Sequence, residues 1–173
     1  MLQHERLLQA WNPRINLTRI VEAKDVAQRH FGEAFFLARE AQLSGSVADL
    51  GAGAGFPGLP IAAMDSEIRM LEVESVTKKA TFMREVTRGW GNVRISECRI
   101  EDLQGSFDWV IMRAVAVEPL VKRLAELAPR AALLAGSRAL EALERDGVWR
   151  VTLRAPLPWD GPGELLIAER ASF

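Results

Sequence analysis

A glycine-rich stretch, LGAGAGFPGLP, spans residues 50–60 and follows an acid, Asp49, at the end of a short apolar run. Closely spaced glycines let the backbone approach a ligand, because no side chain stands in the way. Glycine-rich turns that follow a strand commonly bind nucleotides or nucleotide-containing cofactors. The chemistry of this stretch therefore depends on which cofactor its spacing fits.

Two classes of cofactor fit the same letters. The segment Gly53-x-Gly55-x-x-Gly58 matches a dinucleotide fingerprint. In that class, an acid about 20 residues further on holds the ribose. The pattern of methyltransferases that depend on S-adenosylmethionine is matched by Asp49-x-Gly51-x-Gly53-x-Gly55. The two interpretations predict different reactions, hydride transfer by a dehydrogenase and methyl transfer.

The position of the glycines relative to the strand distinguishes the two classes. The apolar run ends at Leu50, so Gly51 is the first turn residue. Gly53 then comes too late for a dinucleotide fingerprint, whose first glycine directly follows the strand. Pro57 and Pro60 also delay the next helix, because proline is tolerated only in a first helical turn. The spacing favours the methyltransferase pattern, with a dinucleotide site or a loop that binds nothing as alternatives.

Each part of the cofactor needs a particular kind of residue. S-adenosylmethionine has no pyrophosphate, so the loop mainly has to let its backbone lie against the amino-acid and ribose portions. Asp49 can face the ammonium group, directly or through water, or can instead cap the next helix. Glu72 or Glu74, near the end of the second strand, can hold both ribose hydroxyls, and side-chain alternation does not choose between them. A residue after the third strand, within 98–102, would lie against adenine.

Downstream of residue 46, short apolar segments alternate with helical ones, which is typical of βαβ units and a mostly parallel sheet. Strands are predicted near residues 46–50, 68–73, 93–98, 107–112, 131–135, 148–154 and 164–169. Helices are predicted near residues 58–65, 76–89, 118–128 and 137–145. The last two strands are separated by a segment too short for a crossover helix, so they are predicted to form an antiparallel hairpin. The fold class is α/β, Rossmann-like, with seven strands and ligands at the carboxyl ends of the strands.

The chain is predicted to divide into a helical extension, residues 1–45, and a methyltransferase domain, residues 46–173. Within the extension, residues 3–11 have an amphipathic helical rhythm that stops at Asn12, because a following proline disfavours helix. Residues 23–42 are predicted to form one or two helices, interrupted near Gly32.

Composition restricts the class of protein. A chain of 173 residues that is 49% hydrophobic and 26% charged suits one globular domain. Its net charge of −1 gives no general attraction to nucleic acid, so an RNA partner must meet a local basic patch. The single cysteine, Cys98, excludes a multi-cysteine zinc site and favours the reducing cytoplasm. No metal, secretory signal or membrane span is expected.

Six motifs occur in an order and at a spacing that resemble one bacterial family. They are AWNPRINLT (10–18), RHF (29–31), DLGAGAGFPGLPIA (49–62), ES-x-x-KK (74–79), CRIEDL (98–103) and MRAVA (112–116). The chain resembles the glucose-inhibited division protein B family, the small-subunit ribosomal RNA guanine-N7 methyltransferases. The resemblance covers about residues 8–136 well and the C-terminal hairpin weakly. It implies a class I methyltransferase fold, S-adenosylmethionine as donor, and a guanine of the 530 loop of 16S ribosomal RNA as acceptor.

The resemblance also implies roles for individual residues. Gly51 and Phe56 would line the cofactor, together with Gly53 and Gly55 of the glycine pattern. Glu74, which matches the family acid, would hold the ribose and is favoured over Glu72. Ile100 and Glu101 would flank adenine. Arg113 would lie between cofactor and substrate, as the residue closest to the chemistry.

RNA contacts are expected from the partner that the family implies, which is 16S ribosomal RNA or the assembled small subunit. The candidate residues are Asn16, Arg29, His30, Lys78 and Lys79. For each lysine, an exposed helix face without a ligand is an alternative. His30 is expected to pack or to face RNA and not to act as a base, because guanine N7 carries a lone pair and no proton.

Three features depart from the family pattern. Ala135 stands where the family often has lysine, and Gly163 and Glu164 stand where a basic pair commonly starts the last strand. Trp11 comes almost at the chain start, so the N-terminal helical region is shorter than usual. Each departure removes charge or surface that could meet RNA. The alternative function is therefore a methyltransferase-like protein that binds cofactor or ribosome without transferring methyl groups.

Overall fold

The computed structural model describes residues 2–159 and 163–171. Within them, seven strands form one sheet in the order β3-β2-β1-β4-β5-β7-β6. The strands are β1 (Ser46–Leu50), β2 (Arg69–Val73), β3 (Val93–Ser96), β4 (Trp109–Arg113), β5 (Arg130–Ala135), β6 (Trp149–Pro156) and β7 (Glu164–Arg170). The order reverses at β1, which has β2 on one side and β4 on the other. A crevice for a ligand opens at such a point, beyond the carboxyl ends of the strands.

The strand pairing confirms the predicted topology. β1 pairs in parallel with β2 and β4, β2 with β3, and β4 with β5. β7 is antiparallel to both β5 and β6. Parallel strands buried on both faces are continuous apolar runs, and the interior of β1 and β4 is buried throughout.

Helices cover both faces of the sheet. They are α1 (Leu2–Ile15), α2 (Ala23–Asp25), α3 (Glu33–Ala41), α4 (Gly58–Met64), α5 (Thr77–Val86), α6 (Val121–Leu127) and α7 (Ser137–Asp146). One hydrophobic cluster joins α6 and α7 to one face of the sheet, and a second joins α3 and α4 to the other. A third cluster packs α1 and α5 against the glycine loop. Among the described residues, no helix is both long and apolar enough to cross a membrane.

The N-terminal region differs from the prediction at Pro13. The first helix does not stop at Asn12 but includes Pro13 and ends at Ile15. A proline this close to the end of a helix removes only one intrahelical hydrogen bond. The side chain of Asn12 then accepts a hydrogen bond from the N–H of Thr18, at 2.8 Å, which fixes the chain as it leaves α1.

The predicted interruption near Gly32 is a change of helix type. Residues Val26–Gly32 form a π-helix that runs directly into α3. π-Helical turns within α-helices often occur at functional sites. The helices of residues 2–41 pack against the sheet and the glycine loop, whereas the division at residue 45 stays a prediction.

Candidate functional site

The glycine loop between β1 and α4 forms one wall of a cavity of about 380 Å³ at the carboxyl ends of β1 and β4. We call it the loop cavity. The residues that line it include Gly51, Gly53, Phe56, Glu74, Lys79 and Arg113. Helix α4 begins only at Gly58, after Pro57 and with Pro60 in its first turn. The loop is therefore broad and does not open directly into a long helix.

Gly53 shows why this loop needs glycine. Its φ angle is +60°, a conformation that residues with a side chain rarely adopt. A Cβ atom placed on Gly53 would have its nearest neighbour 3.9 Å away, at the carbonyl oxygen of Gly51. Open space therefore lies where a side chain would project, and the backbone at this position is available to a ligand.

Glu74 ties the loop to the second strand. Its Oε2 accepts a hydrogen bond from the N–H of Gly53, at 3.0 Å, and its Oε1 accepts one from the N–H of Val76, at 2.8 Å. A carboxylate has about four acceptor positions, so each oxygen can still accept a hydrogen bond from a ligand. Glu74 is 7% exposed and lines the loop cavity. It is therefore placed to accept hydrogen bonds from vicinal hydroxyls.

Asp49 and Glu72 lie beneath the loop, and both are 0% exposed. They are register partners on the parallel strands β1 and β2. Oδ2 of Asp49 accepts a hydrogen bond from the N–H of Gly58, at 2.8 Å. Two carboxylates can only accept hydrogen bonds, so the pair is satisfied only if one of them keeps a proton. Burial raises the pKa of Asp49 to about 7 and raises the pKa of Glu72 well above its usual value.

Asp49, Glu72 and Glu74 differ in whether they reach the loop cavity. Asp49 caps α4, and its buried carboxylate does not line the loop cavity, so its expected contact with a ligand's ammonium, directly or through water, stays a prediction. Side chains alternate along a strand, which puts Asp49 and Val47 on the face that α4 covers. Glu72 lies on the same face, whereas Glu74, beyond the end of β2, reaches the cavity.

A column of three stacked rings supports the loop from below. Phe56 lies between His30, at a centroid distance of 4.3 Å, and His4, at 4.5 Å. The Nε2 atom of His4 lies 2.8 Å from the carbonyl oxygen of Ala54 and donates to it. Burial lowers the pKa of His4 to about 4, so its ring is neutral. The stack fixes the N-terminal helices against the loop through Phe56.

Arg113, the last residue of β4, is fixed by two side chains from the N-terminal region. Its Nε donates to Oε2 of Glu33 at 2.8 Å, and its Nη1 donates to Nδ1 of His30 at 2.9 Å. The side chains of Arg113 and Glu33 are only 17% and 8% exposed, so water screens this ion pair little. Burial raises the pKa of Glu33, and the charge of Arg113 opposes that rise.

The hydrogen bond from Arg113 determines the state of His30. Since Nδ1 accepts, the ring proton is assigned to Nε2, which lies 3.0 Å from Oγ1 of Thr18. Burial first, and then the charge of Arg113, lower the pKa of His30 to about 3. His30 is therefore a neutral positioning group that has no role as a proton acceptor near neutral pH.

A family model described as GidB, rRNA small subunit methyltransferase G, matches residues 1–142 of the chain. The chain belongs to this family. The ribosomal RNA small subunit methyltransferase G of Geobacter metallireducens is 35% identical over 178 residues, which cover 92% of this chain and 81% of that protein. Its counterpart from Deinococcus radiodurans is 39% identical over 129 residues, which cover 69% of this chain and 51% of that protein. The chain thus spans about half the length of the latter relative.

Solved structures with less than 25% identity show the same fold. The ribosomal protein L11 methylase of Lactobacillus delbrueckii has a TM-score of 0.70 at 16% identity, covering 83% of this chain and 79% of its own. The magnesium protoporphyrin IX methyltransferase of Synechocystis, solved with bound SAM, has a TM-score of 0.69 at 16% identity and covers 97% of both chains. The fold is therefore that of the class I methyltransferases, as predicted.

The residues that the family pattern places at adenine lie outside the loop cavity. Ile100 and Glu101 belong to a short 3₁₀ helix, Ile100–Asp102, beyond the end of β3. Ile100 packs partly against the hydrophobic core, and Glu101 is exposed. Gly55 also lies outside the cavity, and a Cβ atom there would meet Leu59 at 2.4 Å. Gly55 therefore serves the packing of the loop against α4.

The candidate RNA contacts fall into two groups. Asn16, Arg29 and Lys78 are exposed, and Lys79 is half-buried at the rim of the loop cavity. His30 is only 4% exposed and is held by Phe56, Thr18 and Arg113. Of the two expectations for His30, its burial and its contacts support packing, and a direct contact with RNA stays a prediction.

Sequence reasoning missed Glu33, Thr18 and His4. Glu33 comes 80 positions before Arg113 in the chain, and no periodic pattern connects the two. Thr18 lies within the motif AWNPRINLT. That motif supports the resemblance to the family, but it indicates no role for the hydroxyl of Thr18. Buried polar residues beside a glycine loop are a signal that only the fold makes visible.

Proposed function

We propose that this protein transfers a methyl group from S-adenosylmethionine to N7 of a guanine in 16S ribosomal RNA. The observation that carries the proposal is the position of Arg113. It lines the loop cavity, where the glycine loop and Glu74 fit a cofactor, and it also lines a second cavity next to it. One side chain thus stands between a donor site and an acceptor site, in a chain of the rRNA small subunit methyltransferase G family.

The residues of the loop cavity fit S-adenosylmethionine. The open space at Gly53 accommodates the amino-acid portion of the cofactor, and Glu74 offers two carboxylate oxygens to the ribose hydroxyls. Phe56 and Gly51 line the same cavity. The cofactor supplies an activated methyl group on a sulfonium. Ile100 and Glu101 remain candidates for the adenine end, which would extend beyond the cavity along the ends of β2 and β3.

The reaction requires little acid–base chemistry from the protein. The in-plane lone pair of guanine N7 forms the new N–C bond while the C–S bond breaks, and its electron pair stays on sulfur as the thioether of S-adenosylhomocysteine. No proton has to leave before the attack, which agrees with a neutral His30 that has no role as a base. The protein's task is alignment of N7, methyl carbon and sulfur, which contributes about 7–11 kcal/mol.

Arg113 is suited to orienting the acceptor. A guanidinium has five N–H donors, and the hydrogen bonds to Glu33 and His30 use one each. The remaining donors can bind guanine O6, the acceptor adjacent to N7 on the major-groove edge. His30 is a positioning residue in this scheme, because it holds the guanidinium without touching the reacting atoms, and Glu33 holds the same guanidinium.

The partner that we propose is 16S ribosomal RNA, free or in the assembled small subunit, and the place of the reaction is the cytoplasm. Asn16, Arg29, Lys78 and Lys79 are proposed to contact RNA around the crevice. Because the net charge is −1, this attraction is local, and its strength depends on salt.

Transfer of labelled methyl from S-adenosylmethionine to small-subunit RNA tests the proposal. We expect wild-type protein to label the RNA, and Gly53→Leu to lose both cofactor binding and labelling, since a leucine side chain would fill the open space at Gly53. Calorimetry with S-adenosylmethionine and with NAD checks the cofactor separately. Cofactor binding without any methyl transfer to free RNA or assembled subunits would favour the alternative of a binding protein without catalysis.

A further inference from the structure

A second cavity, of about 260 Å³, opens on the other side of Arg113 from the loop cavity. We call it the Trp159 cavity. Both cavities share Arg113 and Ala114, so they are adjacent along the carboxyl ends of β4 and β5. The polar and aromatic side chains that line the second cavity come from Arg29, Glu33, Arg113 and Trp159. Its volume is a little below the usual range for ligand sites, about 300–1,000 Å³, which suits one planar base.

We propose that the Trp159 cavity holds the acceptor guanine, turned out of the RNA, with Trp159 against its ring, Arg113 at O6 and Glu33 at the N1–H and N2–H₂ donors. This inference rests on the proposed function and names the recognition elements of its acceptor. With O6 at Arg113, the adjacent N7 atom points towards the loop cavity, where the methyl group is donated.

Glu33 has a free acceptor for this purpose. Its Oε2 is engaged by Nε of Arg113, while its Oε1 has no hydrogen-bond partner among the described residues. A carboxylate next to the donors N1–H and N2–H₂ recognises the Watson–Crick edge of guanine. Adenine presents an unprotonated N1 at that edge and a donor in place of O6. Oε1 of Glu33 and the free donors of Arg113 would then be left without partners, which is costly in a desolvated site.

Glu33 also fits the charge that develops during the reaction. Guanine is neutral, and its N7-methylated product is a cation. A fixed carboxylate at the base therefore binds the transition state more strongly than the substrate, which is the condition for a contribution to the rate. Arg113 forms an ion pair with Glu33 at 2.8 Å and opposes the rise in the pKa of Glu33 that burial causes.

The position of the Trp159 side chain depends on the absence of a side chain at Gly32. A Cβ atom on Gly32 would lie only 2.5 Å from Cη2 of Trp159, so the indole ring lies directly on the glycine backbone at the end of the π-helix. Single-stranded bases bind to proteins chiefly by stacking on aromatic rings. Arg29, exposed at the same cavity, is placed to bind a phosphate of the turned-out nucleotide.

The test uses the full chain, saturated with S-adenosylhomocysteine, and small-subunit RNA with one replacement at the methylated position. The replacements are 7-deazaguanine, inosine and adenine. 7-Deazaguanine keeps O6, N1–H and N2–H₂ but has no N7 to methylate. Inosine lacks only N2–H₂. We expect 7-deazaguanine to bind like guanine, inosine less tightly, and adenine about 5- to 150-fold more weakly. Equal affinity for guanine and adenine RNA would overturn the proposal.

Variants of Trp159 and Glu33 test whether the difference in RNA affinity arises in the Trp159 cavity. Trp159→Ala is expected to bind guanine RNA about 5- to 150-fold more weakly, with Trp159→Phe restoring most of the affinity and both variants binding S-adenosylmethionine like wild type. Glu33→Gln is expected to reduce the preference for guanine over adenine and to lower kcat more than it raises KM. If Trp159→Ala binds RNA like wild type and Glu33→Gln keeps the base preference, the proposal is wrong.

These outcomes separate the two proposals. Wild-type methyl transfer with no effect of Trp159→Ala contradicts the acceptor cavity and leaves the proposed function intact. Absence of methyl transfer by wild type contradicts the proposed function, and the comparison of guanine RNA with adenine RNA still decides whether the cavity recognises guanine, since it measures binding alone.

Discussion

Nη1 of Arg113 lies 2.9 Å from Nδ1 of His30, so a residue at the end of β4 is held by the ring of a residue from the N-terminal π-helix. Glu33 holds the same guanidinium from the start of α3, at 2.8 Å. The arginine thus has one fixed orientation between two cavities. The N-terminal helices contribute to the site through this contact and through the ring stack on Phe56.

Replacement of Arg113 by alanine is expected to lower kcat by about 10²-fold or more, because a donor fixed at the reacting base is lost. Cofactor affinity should change much less, since the glycine loop and Glu74 remain in place. Arg113→Lys should not restore the rate, because an ammonium lacks the planar fork of donors. Rate measurements at saturating donor and RNA, with calorimetry of cofactor binding, check this prediction. Equal turnover by Arg113→Ala and wild type would remove Arg113 from the mechanism.

Glu74 is expected to control the affinity for S-adenosylmethionine. Hydrogen bonds between a carboxylate and hydroxyls are charge-assisted, so Glu74→Ala should cost about 1.5–3 kcal/mol of binding. Glu72→Gln is the matched control, because Glu72 is an acid on the same strand that is buried away from the cavity. Calorimetry that finds weaker binding in Glu72→Gln and unchanged binding in Glu74→Ala would reverse the assignment.

The buried pair of Asp49 and Glu72 predicts a stability that decreases with rising pH. In the unfolded chain both carboxyls lose their protons near their usual pKa of about 4. In the fold, burial raises the pKa of Asp49 to about 7 and raises that of Glu72 as well. The unfolded state therefore binds fewer protons, and the free energy of unfolding falls as the pH rises from about 4 through 7.

Glu72→Gln tests this prediction, since an amide of the same shape can donate to Asp49 and cannot ionise. We expect the variant to be more stable than wild type at pH 8, by on the order of 1–3 kcal/mol, and the difference to shrink towards pH 4. Denaturant unfolding at several pH values measures it. A difference that is the same at every pH would show that the pair does not hold the extra proton.

Lys78 is predicted to contact RNA phosphates from the exposed side of α5. Lys78→Ala should weaken RNA binding for all sequences and reduce the dependence of log K on log salt by about one unit. Lys122, exposed on α6 at the other face of the sheet, provides the matched control. If Lys122→Ala and Lys78→Ala change the salt dependence equally, the effect reflects net charge and not a contact.

The order of elements and the glycine loop could be predicted because they depend on local patterns. β1 occupies Ser46–Leu50 as predicted, since an apolar run followed by glycine marks both its end and the turn. The delayed start of α4 at Gly58 followed from the two prolines. The predicted stop before Pro13 is wrong because the loss of one N–H donor in the last turn leaves the earlier turns of α1 intact.

The contacts that shape the site depend on register and on long-range packing. The pairing of Asp49 with Glu72 requires the alignment of β1 and β2 and the position of α4 on one face, neither of which the sequence states. The contact of Glu33 with Arg113 joins segments 80 positions apart. It exists only after the N-terminal helices pack against the sheet, so no local pattern could predict it.

Identification of the methylated nucleoside tests directly whether this protein methylates N7 of guanine. Small-subunit RNA, free and as assembled subunits, is incubated with the protein and S-adenosylmethionine, digested, and analysed by mass spectrometry. We expect 7-methylguanosine at one position, and its loss with Arg113→Ala. A methyl group on another base or on another atom of guanine, or no methylated nucleoside with either substrate, would contradict the proposed function.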